Sequence, residues 1–474
     1  MMSLRKPFVF TSILPIVFVL LFYASSESAP RIVPAPYPLP HVSPGMERPE
    51  FWIRKVRQPD RLLLRPEEIQ KMNEENFRKP DLFLCRVQDL KEEWTREELQ
   101  DFLKEDWDVF GSEGEVRYGK DGSLLKEPFW SGLKKNLNPG NLNEKTPLLF
   151  GLTVKRADLR VFPTDEPGLT SPSGQEFDRF QHSSLSPGSL VGVYYFSGDS
   201  LWAYIESGFV RGWVRTEALG IAREKKDAIG YNEVMDRLVV TGNSIRVYED
   251  TGLQEISLSA QMGTSFPLVS LPVPSGMPNP SYVIKMPSRE KDGRLSFRNG
   301  YIPWNEDVYR GFLPYTQENL CRQSFKMLHQ PYRWGERSGG RDCSRLIMDL
   351  FATFGILMPR NSKLQARIGI EHGPVEGKGL KEKQKRLDQA IPFATTLRLP
   401  GHIMLYLGEE KGRYFVIHSI WGFQSRGPSG PTLQRIGKAV VSDLSLGQSG
   451  PSGSLLHRIT DIRVIAGEFS LTNH

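Results

Sequence analysis

Turn-forming residues divide this chain so finely that it can hold few long helices. Its 474 residues include 43 glycines and 35 prolines, and both residue types interrupt regular secondary structure. Many short strands joined by turns are therefore expected. At about 150 residues per domain, the length corresponds to roughly three domains. A hydrophobic content of 39% supplies each domain with a core and excludes a wholly disordered chain.

The charge balance argues against one class of partner. The chain has 61 Lys and Arg against 55 Asp and Glu, a net charge of +6, which is mild for this length. Nucleic-acid binding needs a concentrated basic stripe, so we predict no nucleic-acid partner. The densest basic run, residues 378–386, is either a solvated face or a docking site for an anionic polymer or lipid headgroups.

The N-terminus has the layout of a secretory signal peptide. Arg5 and Lys6 precede a mostly apolar run over 8–23, and small residues at 24–29 provide a cleavage site. The run is interrupted by Pro15, and it is shorter than the roughly 20 residues that a membrane-spanning helix needs. We predict export to the periplasm or cell envelope, with no stable membrane insertion after cleavage. A single membrane anchor is the alternative.

The pattern of apolar and polar residues then changes along the chain, and these changes predict an α+β multidomain protein. Charged helical patterns are followed by two sets of short alternating strands and then by a helix with later strands. The aromatic residues of the first strand set are expected in its core. The predicted divisions are a signal peptide (1–29), a Pro-rich linker (30–50), a helical N-terminal domain (51–149), two small β-barrels (150–225 and 226–309) and a helix-and-strand domain (310–474).

The three cysteines are too few for a disulfide scaffold or a Cys-rich zinc site. They are Cys85, Cys321 and Cys343. In an oxidising compartment an odd number leaves at least one thiol unpaired. Cys85 and Cys321 could pair after export and leave Cys343 free, but no sequence rule fixes the distance between them.

Cys343 stands where a helix begins. Apolar residues such as Leu346 and Leu350 follow it at helical spacing, and Gly355 is a natural stop. A helix N-terminus carries partial positive charge, which favours thiolate over thiol and lowers the pKa of the cysteine. Its free N–H groups can also bind an oxyanion. The position therefore suits a nucleophile.

A nucleophilic cysteine needs a base and a third group that orients the base. His402 and His418 lie in two short apolar segments that are interpreted as adjacent antiparallel strands joined by residues 409–413. Both histidines could face the start of the helix. The same three residue types also bind zinc, but the polar flanks of Cys343 favour a nucleophile. We predict no metal and no cofactor.

Five ordered motifs around these residues resemble those of NlpC-type cell-wall cysteine peptidases. They are Tyr332-x-Trp-Gly, Asp342-Cys343-Ser344, Leu357-x-Pro359-Arg360-x-Ser362, His402 followed by Ile-x-Leu-Tyr-Leu-Gly, and Val416-Ile-His418. The resemblance is close over 310–474 and looser upstream, where some members carry a helical region and two bacterial SH3-like domains. It implies a papain-like catalytic domain that hydrolyses the γ-D-glutamyl to diamino acid bond of peptidoglycan stem peptides.

The resemblance also implies a role for individual residues. Cys343 matches the nucleophile, His402 the base and His418 the group that orients the base. Tyr332 matches a tyrosine placed near the oxyanion. The positions that match the lining of the substrate cleft are Trp334, Asp342, Ser344, Asn361 and Ser362. Three residues depart from the pattern: Asn361 stands where relatives often have a carboxylate, and Glu336 and Arg345 replace glycines.

In such relatives the first SH3-like domain closes one end of the cleft and recognises the free amine of L-Ala. An acidic side chain is needed to pair with that ammonium group. The candidates are Asp165, Glu166, Asp178 and Glu206. The hypothesis is that the substrate is a stem peptide with a free N-terminal L-Ala rather than the intact sacculus.

Two other functions remain open from the sequence. An amidase or acyltransferase on the same core would share the nucleophile and act on another acyl group. A catalytically idle wall-binding protein would use its SH3-like domains, although the retained Cys343, His402 and His418 speak against it. The expected partner is the peptidoglycan stem peptide, and we expect a monomer.

Overall fold

Three seven-stranded sheets organise the chain. The structure, a computed structural model, describes residues 31–111, 116–174, 176–271, 279–373, 375–427 and 430–467. The predicted signal peptide lies outside the described residues. Within these ranges, every helix is too short or too polar to cross a membrane.

The N-terminal segment holds helices and short strands. Its elements are β1 (Arg31–Pro34), α1 (Pro49–Ile53), β2 (Leu62–Leu64), α2 (Pro66–Phe77), β3 (Glu93–Thr95), α3 (Arg96–Phe110), α4 (Glu127–Leu137) and β4 (Lys145–Pro147). A capping box begins α3. The Thr95 hydroxyl accepts from the N–H of Glu98 at 3.3 Å, and the Thr95 N–H donates to the Glu98 carboxylate at 2.9 Å.

The helices of this segment do not share one core. Trp52 and Leu82 are buried with the apolar residues of the last domain. Leu99 and Leu103 of α3 instead pack on one face of the first barrel, in a cluster separate from the one formed by its other face. Helical periodicity shows which face of a helix is apolar, but it does not show what that face packs on. The segment predicted as a separate helical domain is thus divided between its two neighbours.

The first barrel comprises seven strands in the order β11-β5-β8-β9-β10-β6-β7. The strands are β5 (Leu149–Thr153), β6 (Ala157–Arg160), β7 (Gln181–Leu185), β8 (Leu190–Phe196), β9 (Trp202–Glu206), β10 (Arg211–Arg215) and β11 (Leu219–Ile221). Trp202, Tyr204 and Trp213 are buried, as predicted, but they pack with the residues of α3 and α4, whereas Ala203, Ile205 and Val214 of the same strands form a separate apolar cluster. The helix α5 (Lys225–Glu233) leads to the second barrel.

The second barrel repeats the seven-stranded plan in the order β14-β13-β17-β16-β15-β12-β18. Its strands are β12 (Arg237–Val240), β13 (Ser244–Tyr248), β14 (Ile256–Gln261), β15 (Ser265–Ser270), β16 (Ser281–Arg289), β17 (Leu295–Pro303) and β18 (Val308–Arg310). A separate apolar cluster that includes Val240, Phe266 and Ile284 fills it.

The last domain places helices on a mostly antiparallel sheet of order β1-β24-β23-β22-β21-β25-β20. Its elements are β19 (Tyr315–Thr316), α6 (Gln317–Lys326), α7 (Cys343–Ala352), α8 (Ser362–Gln365), β20 (Ile370–Glu371), α9 (Leu380–Asp388), β21 (Thr395–Leu399), β22 (His402–Glu410), β23 (Arg413–Gly427), β24 (Gly430–Asp443), α10 (Leu455–Arg458) and β25 (Asp461–Val464). The apolar face of α7 packs on β22 and β23, which brings the helix start to the strands that carry both histidines.

The Pro-rich segment predicted as an extended linker instead lies along the last domain. β1 pairs in parallel with β24, beginning with Arg31 opposite Thr432. Further along, the Trp52 indole N–H donates to the Met46 carbonyl at 2.7 Å, and its ring lies 5.4 Å from that of Phe415. A Pro-rich composition does not exclude such pairing, because strand addition at a sheet edge is made by backbone groups.

Candidate active site

Cys343 is the first residue of α7, and Asp342 is the N-cap. The Asp342 carboxylate accepts from the N–H of Arg345 at 2.9 Å, which occupies one of the free donors of the first turn. The backbone N–H groups of Ile403 and Ser344 lie near the Cys343 sulfur, where they lower the pKa of the thiol. Because Ile403 follows His402 directly on β22, the helix start and the first histidine are adjacent.

Burial dominates the protonation of the thiol. It raises the pKa of Cys343 to about 12, and the Asp342 carboxylate adds to this effect. The N–H of Ile403, the Arg360 guanidinium and the N–H of Ser344 act in the opposite direction. The prediction of a lowered pKa was therefore wrong for the resting site, because desolvation outweighs the helix N-terminus.

His402 and His418 form a hydrogen-bonded chain that continues to a serine. His402 Nε2 lies 2.7 Å from His418 Nδ1, and His418 Nε2 lies 3.0 Å from the Ser442 hydroxyl. Burial lowers the pKa of His402 to about 3, with Arg458 contributing. Burial also holds the pKa of His418 well below its usual value, and His402 adds to that effect. Both rings are thus neutral at pH 7.

Ser442 was missed by the sequence analysis. It lies on β24, whose pairing with β23 places it opposite Val416, two residues before His418. It is completely buried. A serine 24 residues beyond the histidine carries no local signal, and only the antiparallel register brings its hydroxyl to the ring.

Aromatic side chains from two domains meet beside the cysteine. The ring of Phe177, in the long loop of the first barrel, lies 5.6 Å from Trp334 and 6.4 Å from Tyr332. It also lies 5.3 Å from Trp421 of β23. Burial raises the pKa of Tyr332 well above its usual value, and the charge of Cys343 adds to this, which places the phenol near the thiol. The indole N–H groups of Trp334 and Trp421 are buried without a partner among the described residues.

Asp342 and Ser344 are held together by Arg360. The Arg360 guanidinium donates to the Asp342 carboxylate and to the Ser344 hydroxyl, each at 2.7 Å. The Ser344 hydroxyl also donates to Asp342 at 3.0 Å. Although Arg360 belongs to a motif quoted above, the sequence analysis gave it no role. Its positive charge keeps the pKa of the buried Asp342 low.

Asn361 and Ser362 stand at the start of α8. The Asn361 side chain accepts from the N–H of Leu364 at 3.0 Å and is the N-cap of that helix. It is exposed, and Ser362 is half-buried. In this structure the described role of Asn361 is to begin α8, whereas its place on the cleft stays a prediction.

Two of the acidic candidates in the first barrel, the exposed Asp165 and the half-buried Glu166, bind other groups. Asp165 forms an ion pair with Arg215. Glu166 accepts from the backbone N–H of Lys120 at 2.6 Å.

The other two acidic candidates are buried in local contacts. Asp178 pairs with Arg160 and accepts from the N–H of Phe180 at 2.9 Å. Glu206 accepts from the Tyr194 hydroxyl at 3.4 Å, and burial raises its pKa to about 7. A carboxylate that was not considered, Glu176, adjoins Phe177 and pairs with Arg435 of β24 at 2.9 Å.

The geometry disfavours zinc at Cys343, His402 and His418. His402 and His418 use facing ring nitrogens to bond each other, and none of the described Cys, His, Asp and Glu side chains form a group of three or more able to hold a metal ion. Cys85 and Cys321 are not joined in a disulfide. The Cys85 thiol donates to the Ser207 carbonyl at 3.2 Å.

Sequence profiles of two known domain families match parts of the chain. The sequence profile of the NlpC/P60 family matches residues 329–420, and that of an SH3 domain of the SH3b1 type matches residues 167–215. No curated protein sequence matches the chain.

Solved structures are similar to the chain over most of its length. An NlpC/P60 endopeptidase from Photobacterium damselae subsp. piscicida is 19% identical with a TM-score of 0.69, over 87% of this chain and 96% of that one. An NlpC/P60 family protein from Bacillus cereus ATCC 10987 is 16% identical with a TM-score of 0.46, over 67% of this chain and all of that one. The chain therefore carries a domain that matches the NlpC/P60 family over residues 329–420, behind an SH3 domain of the SH3b1 type over residues 167–215, and it shares the fold of the Photobacterium structure.

Proposed function

We propose that the chain is a cysteine endopeptidase that hydrolyses the γ-D-glutamyl to diamino acid bond of peptidoglycan stem peptides. The observation that carries the proposal is the placement of Cys343 at the start of α7, beside the hydrogen-bonded chain of His402, His418 and Ser442. A nucleophile, a base and an orienting group are the parts that thiol-dependent hydrolysis needs. The choice of bond follows the resemblance of the motifs.

The hydrogen bonds fit two tautomers of the histidine pair, and only one of them leaves His402 able to act as the base. If His402 carries its proton on Nε2, it donates to His418 Nδ1, and His418 Nε2 then donates to Ser442. This arrangement leaves His402 Nδ1 as a free acceptor. Because the pKa of the thiol is high and that of the imidazole is low, the resting pair is neutral, and the proton moves from sulfur to His402 Nδ1 as the attack begins.

The chemistry then proceeds through a thioester. The Cys343 sulfur bonds to the carbonyl carbon of the γ-glutamyl group, and the N–H at the start of α7 together with the Tyr332 hydroxyl stabilises the oxyanion. His402 gives its proton to the amine of the diamino acid as the C–N bond breaks. Water, deprotonated by His402, hydrolyses the thioester and restores the thiol.

The decisive experiment follows cleavage of L-Ala-γ-D-Glu-diaminopimelate by mass spectrometry. The wild type is expected to release the diamino acid, whereas C343A and thiol-alkylated protein are expected to be inactive with unchanged melting temperatures. Turnover by C343A would refute the proposal. Release of another acyl group would indicate the amidase or acyltransferase, and an inert wild type that binds wall fragments would indicate the idle binding protein.

We propose further that the substrate enters with a free N-terminal L-Ala. Support comes from the loop of the first barrel, where Phe177 packs against Trp334 and Trp421 and so walls the cleft. A walled cleft suits the end of a peptide better than a continuous polymer. Glu176, beside Phe177, is a fifth candidate for the ammonium group; like the four earlier candidates it already has a partner, Arg435, which the substrate would have to displace. Free tripeptide should be cleaved much faster than intact sacculi, and equal rates would contradict this.

Export and the monomeric state are also proposed. Cleavage of the predicted signal peptide would leave a chain that begins just before β1, which is paired with β24. N-terminal sequencing of protein recovered from the periplasm and light scattering of the purified protein test the two statements.

A further inference from the structure

Glu336 and Arg345, two of the residues that depart from the family pattern, contact each other near Cys343. Glu336 belongs to the turn that follows Trp334, and Arg345 lies in the first turn of α7. Their exposures are 0% and 6%, and they form an ion pair. Each departure looks harmful when it is considered alone, since buried charges are costly. Together they compensate each other.

The backbone of Glu336 shows that its surroundings hold it in place. Its φ is +64°, in the left-handed region that favours glycine. Such a residue persists only where neighbouring contacts over-determine it. The carboxylate contacts are therefore the first place to look for its role.

The Glu336 carboxylate joins the first barrel to the last domain. Ser183 of β7 donates its hydroxyl at 2.8 Å, and the neighbouring Ser184 hydroxyl donates as well. On the other side the carboxylate pairs with Arg345 and, at 3.1 Å, with Arg360. The buried carboxylate is thus bonded by two guanidinium groups of the last domain and two hydroxyl groups of the first barrel.

The two arginines that pair with Glu336 connect its carboxylate to the residues around Cys343. Arg360 bonds Asp342 and Ser344, the two residues on either side of Cys343. Arg345 stands two residues after Cys343 and also donates to the Ser184 carbonyl at 3.1 Å. The positions of the two guanidinium groups near the thiol therefore depend on contacts with the first barrel.

We propose that Glu336 is a positioning residue, which holds Arg345 and Arg360 beneath Cys343 and makes the nucleophile depend on the docked first barrel. This rests on the proposed role of Cys343. The titratable and charged groups that face the thiol are Asp342 on its own helix, Arg360 before α8, Tyr332 before the turn and His402 on β22. Glu336 acts on this set through Arg360, whose positive charge it offsets.

The sign of the effect follows from the charges. Replacement of Glu336 by glutamine keeps the shape but leaves both arginines with less compensation. A more positive surrounding favours the thiolate, so the pKa of Cys343 falls. At the same time Arg360 is freed to shift, and Asp342 and Ser344 shift with it. Thiol reactivity and turnover should therefore move in opposite directions, which a purely structural role would not produce.

The experiment measures alkylation of Cys343 by iodoacetamide against pH in the full chain, read from the Cys343 peptide by mass spectrometry. For E336Q the midpoint is expected about one pH unit lower than in the wild type, and kcat/KM about tenfold lower. An unchanged midpoint in E336Q would overturn the proposal. Because alkylation is read without turnover, this result stays distinct from failure of the proposed function, which C343A tests.

Two further variants separate positioning from folding. E336G removes the carboxylate and relaxes the backbone, so it should show the same alkylation shift with a higher melting temperature than E336Q. D106N is a matched control, because Asp106 is a carboxylate that bonds Arg211 and Tyr204 away from the cleft. It should leave the Cys343 midpoint unchanged. A shift in D106N equal to that in E336Q would refute the specific role.

The part played by the barrel is tested by S183A/S184A. This double variant keeps every charge and removes the two hydroxyls that bond Glu336. Turnover is expected to fall at least threefold while the alkylation midpoint stays within about 0.3 of the wild-type value. Wild-type turnover in S183A/S184A would show that the nucleophile does not depend on the barrel.

Discussion

Ser442 offers the sharpest test of the histidine chain. In S442A, His418 Nε2 loses its bond at 3.0 Å while it remains buried. An unsatisfied buried polar group costs about 1–3 kcal/mol. His418 can reduce that cost by moving its proton to Nδ1, but it then faces His402 Nε2 with a donor and forces the base into the wrong tautomer. In both cases the arrangement that reacts, with the proton of His402 on Nε2, is destabilised.

Since about 1.4 kcal/mol corresponds to a tenfold change in rate, S442A should lower kcat by roughly tenfold to a hundredfold. The assay is release of diaminopimelate from L-Ala-γ-D-Glu-diaminopimelate, with KM expected to change little. S324A is the matched control. Ser324 is equally buried and donates to the Cys321 carbonyl at 2.8 Å, so it should lose stability without losing kcat. A kcat within twofold of wild type in S442A would refute the proposed tautomer.

Three further outcomes are expected from the fold. The pKa values of His402 and His418 are depressed in the folded state, so below the unfolded-state pKa of about 6.5 the unfolded chain binds more protons than the folded one. As the pH falls through this range, each ring lowers the free energy of unfolding by about 1.4 kcal/mol per pH unit. Urea unfolding at pH 7 and pH 5 measures this loss. Thiol titration of unreduced, denatured protein should find three thiols, and a count of one would mean that Cys85 and Cys321 are bridged. W52A should cost about 3–5 kcal/mol in chemical unfolding, because Trp52 is fully buried between the N-terminal segment and the last domain.

Local rules predicted the parts of this molecule that local interactions determine. The start of α7 at Cys343 depends on residues within one turn, and the helix begins there. The adjacent strands of His402 and His418 were also predicted, because their apolar runs are short and separated by a turn. The barrel aromatics are buried for the reason that their size suggested.

Longer-range features could not be read from one sequence. Packing divides the N-terminal helices between two cores, although their periodicity is alike. The thiol pKa depends on how deeply the fold buries Cys343, and the helix start alone indicated the wrong direction. The acidic candidates in the first barrel show the same limit, because Asp178 was plausible by type yet is already paired with Arg160.

Glu336 and Arg345 both depart from the family pattern, and the two departures together are expected to cost less stability than either one alone. The left-handed backbone of Glu336 costs about 1–2 kcal/mol relative to glycine, and its buried carboxylate is stable only because Arg345, Arg360 and the barrel hydroxyls satisfy it. Removal of Arg345 alone would leave a buried charge short of a partner, at a cost of about 3–5 kcal/mol. Removal of both residues would release the strain and the charge together. The stability losses of R345G and E336G should therefore sum to more than the loss of the double variant, with a coupling of about 0.5–3 kcal/mol; additive losses would mean that the two residues, although in contact, do not support each other.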